Sequence, residues 1–106
     1  MLLWNLALDE DHGPHLGGCG NCRGVVTIDS KSGAVTRNVE YYALAHASRF
    51  VKPGAVRMAS SAAVEGLENV AFRNPDRSMV LIIVNTAGEE RRFTVRWRGR
   101  AVEYAG

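Results

Sequence analysis

A chain of 106 residues with 46% hydrophobic content is long enough for one domain with a modest core, but too short for a catalytic barrel plus an accessory module. Its 13 basic and 11 acidic residues leave a formal charge of +2, too balanced to point to nucleic acid, an anionic membrane surface or an acidic partner without local clustering. The longest apolar stretches, such as Val80 to Val84, fall far below the roughly 20 residues of a membrane span, and Met1 to Leu8 has neither a basic leader nor a cleavage site.

Leu2 to Leu8 is a nearly continuous apolar run, the pattern of a strand buried on both faces in a parallel sheet or barrel. A loop rich in Gly, His and Asp follows. Gly24 to Asp29 reads as a short strand, and Ser32-Gly33 as the turn into Ala34 to Thr36, together a two-stranded ribbon. Asn38 offers a helix cap. From Val39, the positions Val39, Tyr42, Ala43, His46 and Phe50 recur at helical spacing, which predicts a helix of about three turns that lays this face on a core. Pro53-Gly54 stops it, and the main boundary is set there, giving residues 1–53 and 54–106 as the two parts.

Beyond Gly54 the pattern changes to short alternating segments. Strands are expected near Ala55 to Ser60, Leu67 to Arg73, Ser78 to Asn85, Glu90 to Trp97 and Arg100 to Tyr104, with turns at Asn74-Pro75-Asp76, Thr86-Ala87-Gly88 and Arg98-Gly99. Phe93, Val95 and Trp97 alternate with Arg92, Thr94, Arg96 and Arg98, so that strand is expected to bury one face and expose the other. Met79 to Val84 is apolar on both faces, which suits a central strand of a two-layered sandwich.

Several residues invite a chemical reading. Cys19-Gly20-Asn21-Cys22 admits three: a local disulfide or two unpaired thiols, half of a metal site, or a redox pair. His12 and His15 are near enough in sequence to complete a tetrahedral zinc set with the cysteines, although the spacing is unusual. A redox pair needs a helix N-terminus after the first cysteine, which the glycine-rich flanks do not suggest. His46 reads as a satisfied core or interface histidine. Arg91, Arg92, Arg96, Arg98 and Arg100 read as a solvated face that discourages edge pairing, not as a nucleic-acid surface. No metal, cofactor or nucleic-acid partner is assigned.

The run W-N-L-A-L-D with G-P a few residues later, the V-V-T-I-D strand, the N-V-E-Y-Y-A-L-A-H-A-S-R-F helix and V-K-P-G-A-V-R together resemble glycoside hydrolase family 30, in particular its glucosylceramidase and β-1,6-glucanase branch. The later V-A-F-R-N-P-D-R-S-M-V-L-I-I-V-N-T segment resembles that family's C-terminal β domain, in which an N-P-D-G-S turn joins two strands. Here Arg77 replaces the glycine, which calls for a different turn conformation or tolerance of a side chain.

The resemblance implies a mainly β chain: a β-sandwich C-terminal domain preceded by the last strand, loop and helix of a (β/α)8 barrel. It also implies membership of a retaining β-glycosidase, whose mechanism needs two carboxylates about 5 to 5.5 Å apart. In the family these are glutamates after the fourth and seventh barrel strands, both upstream of Met1, so the chain alone is expected to be inactive. Trp4 matches the family's tryptophan at the end of the eighth barrel strand, where an indole face stacks on a sugar ring. Asn5 follows it in the motif, placed to hydrogen-bond either a neighbouring loop, as a buried structural residue does, or the sugar. The Cys19 loop borders the sugar pocket, and where Cys19 stands in place of a polar residue, His15 or Asn21 is the candidate replacement.

The partners implied are a β-glucoside or glucan substrate and the upstream barrel region. A sandwich that continues past Gly106 in the family leaves apolar edges here, so a partner chain, self-association or strand exchange is expected to cover them. Family members are often secreted or periplasmic, and the chain itself leaves localisation open. The competing class is a noncatalytic β module that binds carbohydrate or protein, and a weaker third is a small metal-binding protein using His12, His15, Cys19 and Cys22.

Overall fold

A computed structural model of the protein describes residues 3–61 and 65–106. The elements in chain order are β1 (Ala7–Leu8), β2 (Val26–Ile28), β3 (Val35–Arg37), α1 (Val39–Ser48), β4 (Val56–Met58), β5 (Leu67–Arg73), β6 (Met79–Asn85), β7 (Arg92–Trp97) and β8 (Arg100–Ala105). The chain is mainly β with one short helix, and it divides into two compact units, Met1–Arg49 and Phe50–Gly106. No helix among the described residues is long and apolar enough to cross a membrane.

In the first unit the sheet order is β1-β2-β3. β1 runs parallel to β2, with Ala7 opposite Val26, and β2 runs antiparallel to β3, with Ile28 opposite Val35. The strand expected over Leu2 to Leu8 is only two residues long, and Leu2 lies outside the described residues. The physical reason is pairing: β1 has one described neighbour, β2. Its approach is nevertheless anchored by Val25 N–H to Asn5 O at 3.2 Å and Val26 N–H to Leu6 O at 3.0 Å.

Gly24 makes that close approach feasible, since a Cβ there would lie 2.9 Å from Val26 O and 3.1 Å from Leu8 N. Leu8 and Val25 form the buried apolar centre of this unit. The ribbon turn closes on Gly33 at φ 72°, with its amide donating to Asp29 O at 2.8 Å.

α1 starts where expected but turns a different face inward. Asn38 is its N-cap by position, yet its side chain makes no cap bond. Instead Nδ2 donates to Gly24 O at 2.9 Å and Thr27 Oγ1 at 3.0 Å, fastening the helix entrance to β2. Of the face expected to pack, Val39, Tyr42 and His46 are exposed and Phe50 lies beyond the helix.

Glu40, Tyr41, Leu44, Ala45 and Ala47 are the half-buried positions. This helix is apolar on most sides, so periodicity could not choose a face. The choice follows from local anchors: Arg23 grips Glu40 through two bonds of 3.2 and 3.0 Å, and Arg37 sits 4.8 Å from the Tyr41 ring centroid. His46, expected in a core or interface, is exposed and donates from Nδ1 to the Tyr42 carbonyl at 2.6 Å.

The second unit contains an antiparallel sheet of order β4-β5-β6 and the separate hairpin β7-β8. Met79 to Val84 was expected to be a central strand. β5 is central instead, and β6 is the edge of this sheet among the described residues, with Leu81 and Val84 exposed. An apolar pattern on both faces reports what a strand can be buried against; it does not fix its order in the sheet. Phe93 and Val95 are half-buried while Arg92, Thr94 and Arg96 are exposed, as the alternation requires, but Trp97 at the strand end is 48% exposed.

Asn74 organises this unit. It is only 4% exposed. Its Oδ1 accepts from Lys52 N–H at 2.9 Å, and its Nδ2 donates to Phe50 O and to Ser78 Oγ, both at 2.9 Å. The turn it begins keeps Arg77 at φ 68°, so the residue that departs from the family's glycine is tolerated in the left-handed region, at a cost on the order of 1 kcal/mol. Leu67, at the other end of β5 and opposite Asn85, is the buried apolar residue of this unit.

Candidate functional site

The loop after β1 is built by Asp9. Its Oδ1 accepts from the amides of Asp11 at 3.0 Å and Gly13 at 2.6 Å, and its own amide donates to Gly13 O at 2.8 Å. An aspartate that satisfies amides two and four residues on makes a tight loop out of a polar segment. His12 is carried at φ 64° inside that loop, a conformation that histidine tolerates better than most side chains. Asp9 takes no role of its own from the sequence reading; the signal for it is an Asp four residues ahead of Gly13-Pro14.

Glu10 reaches across to Ser30, accepting from its amide at 2.9 Å and its hydroxyl at 2.5 Å, and so ties the loop to the end of β2.

Beside this loop lies a groove of about 510 Å³ whose walls include Trp4, Asn5, Leu8, His12, His15 and the Cys19–Cys22 pair. Trp4 is 90% exposed, so its indole is a surface and not a core element of this unit. Asn5 is half-buried beside it and His15 is exposed. Of the residues singled out from sequence, Trp4, Asn5 and His15 therefore share one groove. Asn21 does not line it.

Cys19 and Cys22 are joined as a disulfide, with their Cα atoms 5.4 Å apart. Asn21 Oδ1 lies 3.2 Å from Cys19 Sγ, a sulfur–oxygen contact and not a hydrogen bond, because a disulfide sulfur carries no proton. In this state the four-residue zinc set lacks its two thiolates. Among the described residues no group of three or more His, Cys, Asp or Glu side chains is arranged to hold a metal ion.

Three acids of this unit are committed to structural partners. Ser30 holds the Glu10 carboxyl below its ordinary range, chiefly through its hydroxyl. Ser32 does the same for Asp29, and Arg23 for Glu40. In the second unit Lys52, with Ser78, holds Asp76 well below the usual carboxylate range. A general acid at a glycosidic bond needs the opposite shift, upward toward neutrality.

Residues 54–105 match the glycosyl hydrolase family 30 beta sandwich domain. The chain belongs to glycoside hydrolase family 30. The endo-1,6-beta-D-glucanase neg1 of Aspergillus fumigatus is 37% identical over 111 residues, covering 92% of this chain and 22% of that protein. The lysosomal acid glucosylceramidase of Mus musculus is 32% identical over 97 residues, covering 87% of this chain and 18% of that protein. The solved structure of an endo-β1,6-glucanase aligns with a TM-score of 0.81 at 39% identity, over 95% of this chain and 23% of its own.

The chain thus spans about a fifth of the length of the curated relatives it matches. Within family 30 its β4 to β8 region is the sandwich domain. The match to the A. fumigatus glucanase covers more of the chain than that domain can supply, so it takes in most of the unit that carries the groove.

Proposed function

We propose that this chain supplies the closing strand, the Gly- and Cys-rich loop and the bracing sandwich of a retaining β-glycosidase that cleaves β-linked glucosides. In this reading residues 1–53 are the end of its (β/α)8 barrel and residues 54–106 its C-terminal domain. The observation that carries it is Trp4, 90% exposed on the wall of a groove shared with Asn5 and His15. An indole face offered to solvent beside polar groups suits the apolar C–H face of a pyranose, with the Asn5 amide and the His15 imidazole available to its hydroxyls. Asn21 acts at one remove, by bracing the Cys19 sulfur that lines the groove.

Catalysis needs a second contribution. Retention takes two carboxylates about 5 to 5.5 Å apart, one of them kept protonated, whereas Glu10, Asp29, Glu40 and Asp76 are each bound to a partner and shifted downward. In the family the catalytic glutamates lie in the upstream barrel region, and on this reading the 106-residue chain is inactive alone. Exposed Leu6, Leu16, Tyr42 and Val84 support the same reading, as surfaces for a neighbouring part of the enzyme to cover or for self-association.

The test is hydrolysis of an aryl β-glucoside and of a β-1,6-glucan, the linkage named for relatives of this chain. A longer chain carrying the upstream region should release product, and the 106-residue chain should not. Turnover by the short chain would overturn the proposal. Calorimetric binding of glucose, cellobiose or β-1,6-glucan by the short chain, unimproved by the upstream region, would instead favour a free-standing carbohydrate-binding module.

A further inference from the structure

The second unit has a groove of its own, which shares no residue with the one that carries the proposed function. It encloses about 530 Å³, and its walls include Val56, Met58, Arg73, Arg77, Trp97 and Arg98. No acidic side chain lines it among the described residues. The nearest acid in the turn, Asp76, is occupied by Lys52 and by the amide and hydroxyl of Ser78. Arg73, Arg77 and Arg98 form no ion pair among the described residues. Arg98 instead stacks on Trp97, its Cζ 5.5 Å from the ring centroid, while Trp97 remains 48% exposed.

Two of these arginines stand where the backbone favours another residue. Arg77 has φ 68°, in the left-handed region that glycine occupies without cost. Arg98 has φ 49° and precedes Gly99 at φ 77°, in a two-residue hairpin loop closed by Trp97 opposite Arg100. That loop geometry is best served by Asn-Gly. Turn stability alone would therefore put glycine at one position and asparagine at the other. Side chains that persist in sparsely populated backbone regions are found disproportionately at functional sites, and here both line one groove beside an open indole.

We infer that this groove is a second saccharide site, selective for sugars that carry a carboxylate. A guanidinium fork pairs with a carboxylate through two parallel bonds, and the Trp97 face takes the apolar face of the ring. The site is independent of the glycosidase reading, because it concerns binding by the second unit and not bond cleavage; the two can fail separately.

The experiment is calorimetric titration of the 106-residue chain with an oligoglucuronate, a neutral gluco-oligosaccharide of equal length, and inorganic polyphosphate. The oligoglucuronate should bind at least about tenfold more tightly than the neutral sugar, the ratio that loss of one charge-assisted pair produces. The double variant Arg77→Gly/Arg98→Asn should lose about tenfold or more in affinity while its melting temperature holds or rises, since both turns gain their preferred residue. Trp97→Ala should weaken oligoglucuronate binding and leave polyphosphate unaffected. Equal affinity for the neutral sugar, no detectable binding, or full affinity in the double variant overturns the inference. So does oligoglucuronate affinity indifferent to Trp97→Ala, which would mark a plain polyanion surface.

Discussion

Asn74 Oδ1 accepts the backbone amide of Lys52 at 2.9 Å across a sequence separation of 22 residues. This bond, with the two that Nδ2 donates to Phe50 O and Ser78 Oγ, pins the β5–β6 turn to the segment leading into β4. Because Asn74 is 4% exposed, water cannot replace what a truncation removes. Asn74→Ala should destabilise the second unit by about 2 to 3 kcal/mol, seen as a lower urea midpoint at constant slope. Asn74→Asp keeps the acceptor for Lys52 and should fall between the two. An Asn74→Ala midpoint equal to wild type would show that the turn is held by other means.

Gly24 makes a matching prediction in the first unit. An added Cβ would meet three backbone atoms, Val26 O at 2.9 Å, Leu8 N at 3.1 Å and Ala7 Cα at 3.2 Å, and none of them can swing aside. Gly24→Ala should force β1 from β2 at a cost of about 1 to 3 kcal/mol. Amide exchange at Val25 and Val26, which donate to Asn5 and Leu6 carbonyls, should accelerate before other amides do. Gly33→Ala is the control: nothing lies within 4 Å of its Cβ, so only the φ of 72° opposes it. Equal exchange rates in Gly24→Ala and wild type would contradict the packing argument.

These two positions also show what was legible in the sequence. The β5 bounds are as expected, and β6 begins one residue later than Ser78, because Asn-Pro-Asp and Thr-Ala-Gly punctuate the apolar runs on either side. The Trp4-Asn5 motif and the His15 and Cys19 loop were legible as a group, and they line one groove. Long-range choices were not. Asn38 looks like a cap in sequence and acts as a tether, its Nδ2 donating to Gly24 O and Thr27 Oγ1, 14 and 11 positions away, which local sequence does not announce. The inward face of α1 was misjudged because Tyr41 and Tyr42 are equally apolar, and only Arg37 and Arg23 decide between them. Sheet order put β5 at the centre, which no strand can announce from its own pattern.

Acid should destabilise the fold through its bound carboxylates. Ser30, Ser32, Arg23 and Lys52 lower Glu10, Asp29, Glu40 and Asp76 respectively from ordinary values of 4.5, 3.8, 4.5 and 3.8. A depressed folded-state pKa means that the unfolded chain takes up the proton first, so the stabilisation is complete above the ordinary value and is lost as pH falls through the folded one. Loss should begin near pH 4.5 for the glutamates and deepen below 3.8 for the aspartates. These groups are exposed, so added salt should shrink the effect at Lys52–Asp76 and Arg23–Glu40. Asp76→Asn should flatten the most acidic part of a thermal-melting profile, and an unchanged acid limb in that variant would count against the Lys52 pairing.

Trp4 gives the prediction that bears most directly on function. At 90% exposure its indole contributes little packing to this unit, so truncation should leave the folded state of the 106-residue chain nearly unchanged. In the enzyme that carries the upstream region, Trp4→Ala should lower kcat/KM on a β-glucoside by about tenfold or more, because truncation forfeits the apolar area the indole covers on the sugar, on the order of 1.5 to 3 kcal/mol for a large side chain. Trp4→Phe keeps a ring face and should recover part of the loss, which a purely structural role for the indole would not predict. Steady-state kinetics on the three proteins, with melting temperatures measured in parallel, separates the alternatives. Equal kcat/KM for Trp4→Ala and wild type would remove Trp4 from the sugar site, and a fall in melting temperature that tracks the kinetic loss would reassign it to the fold.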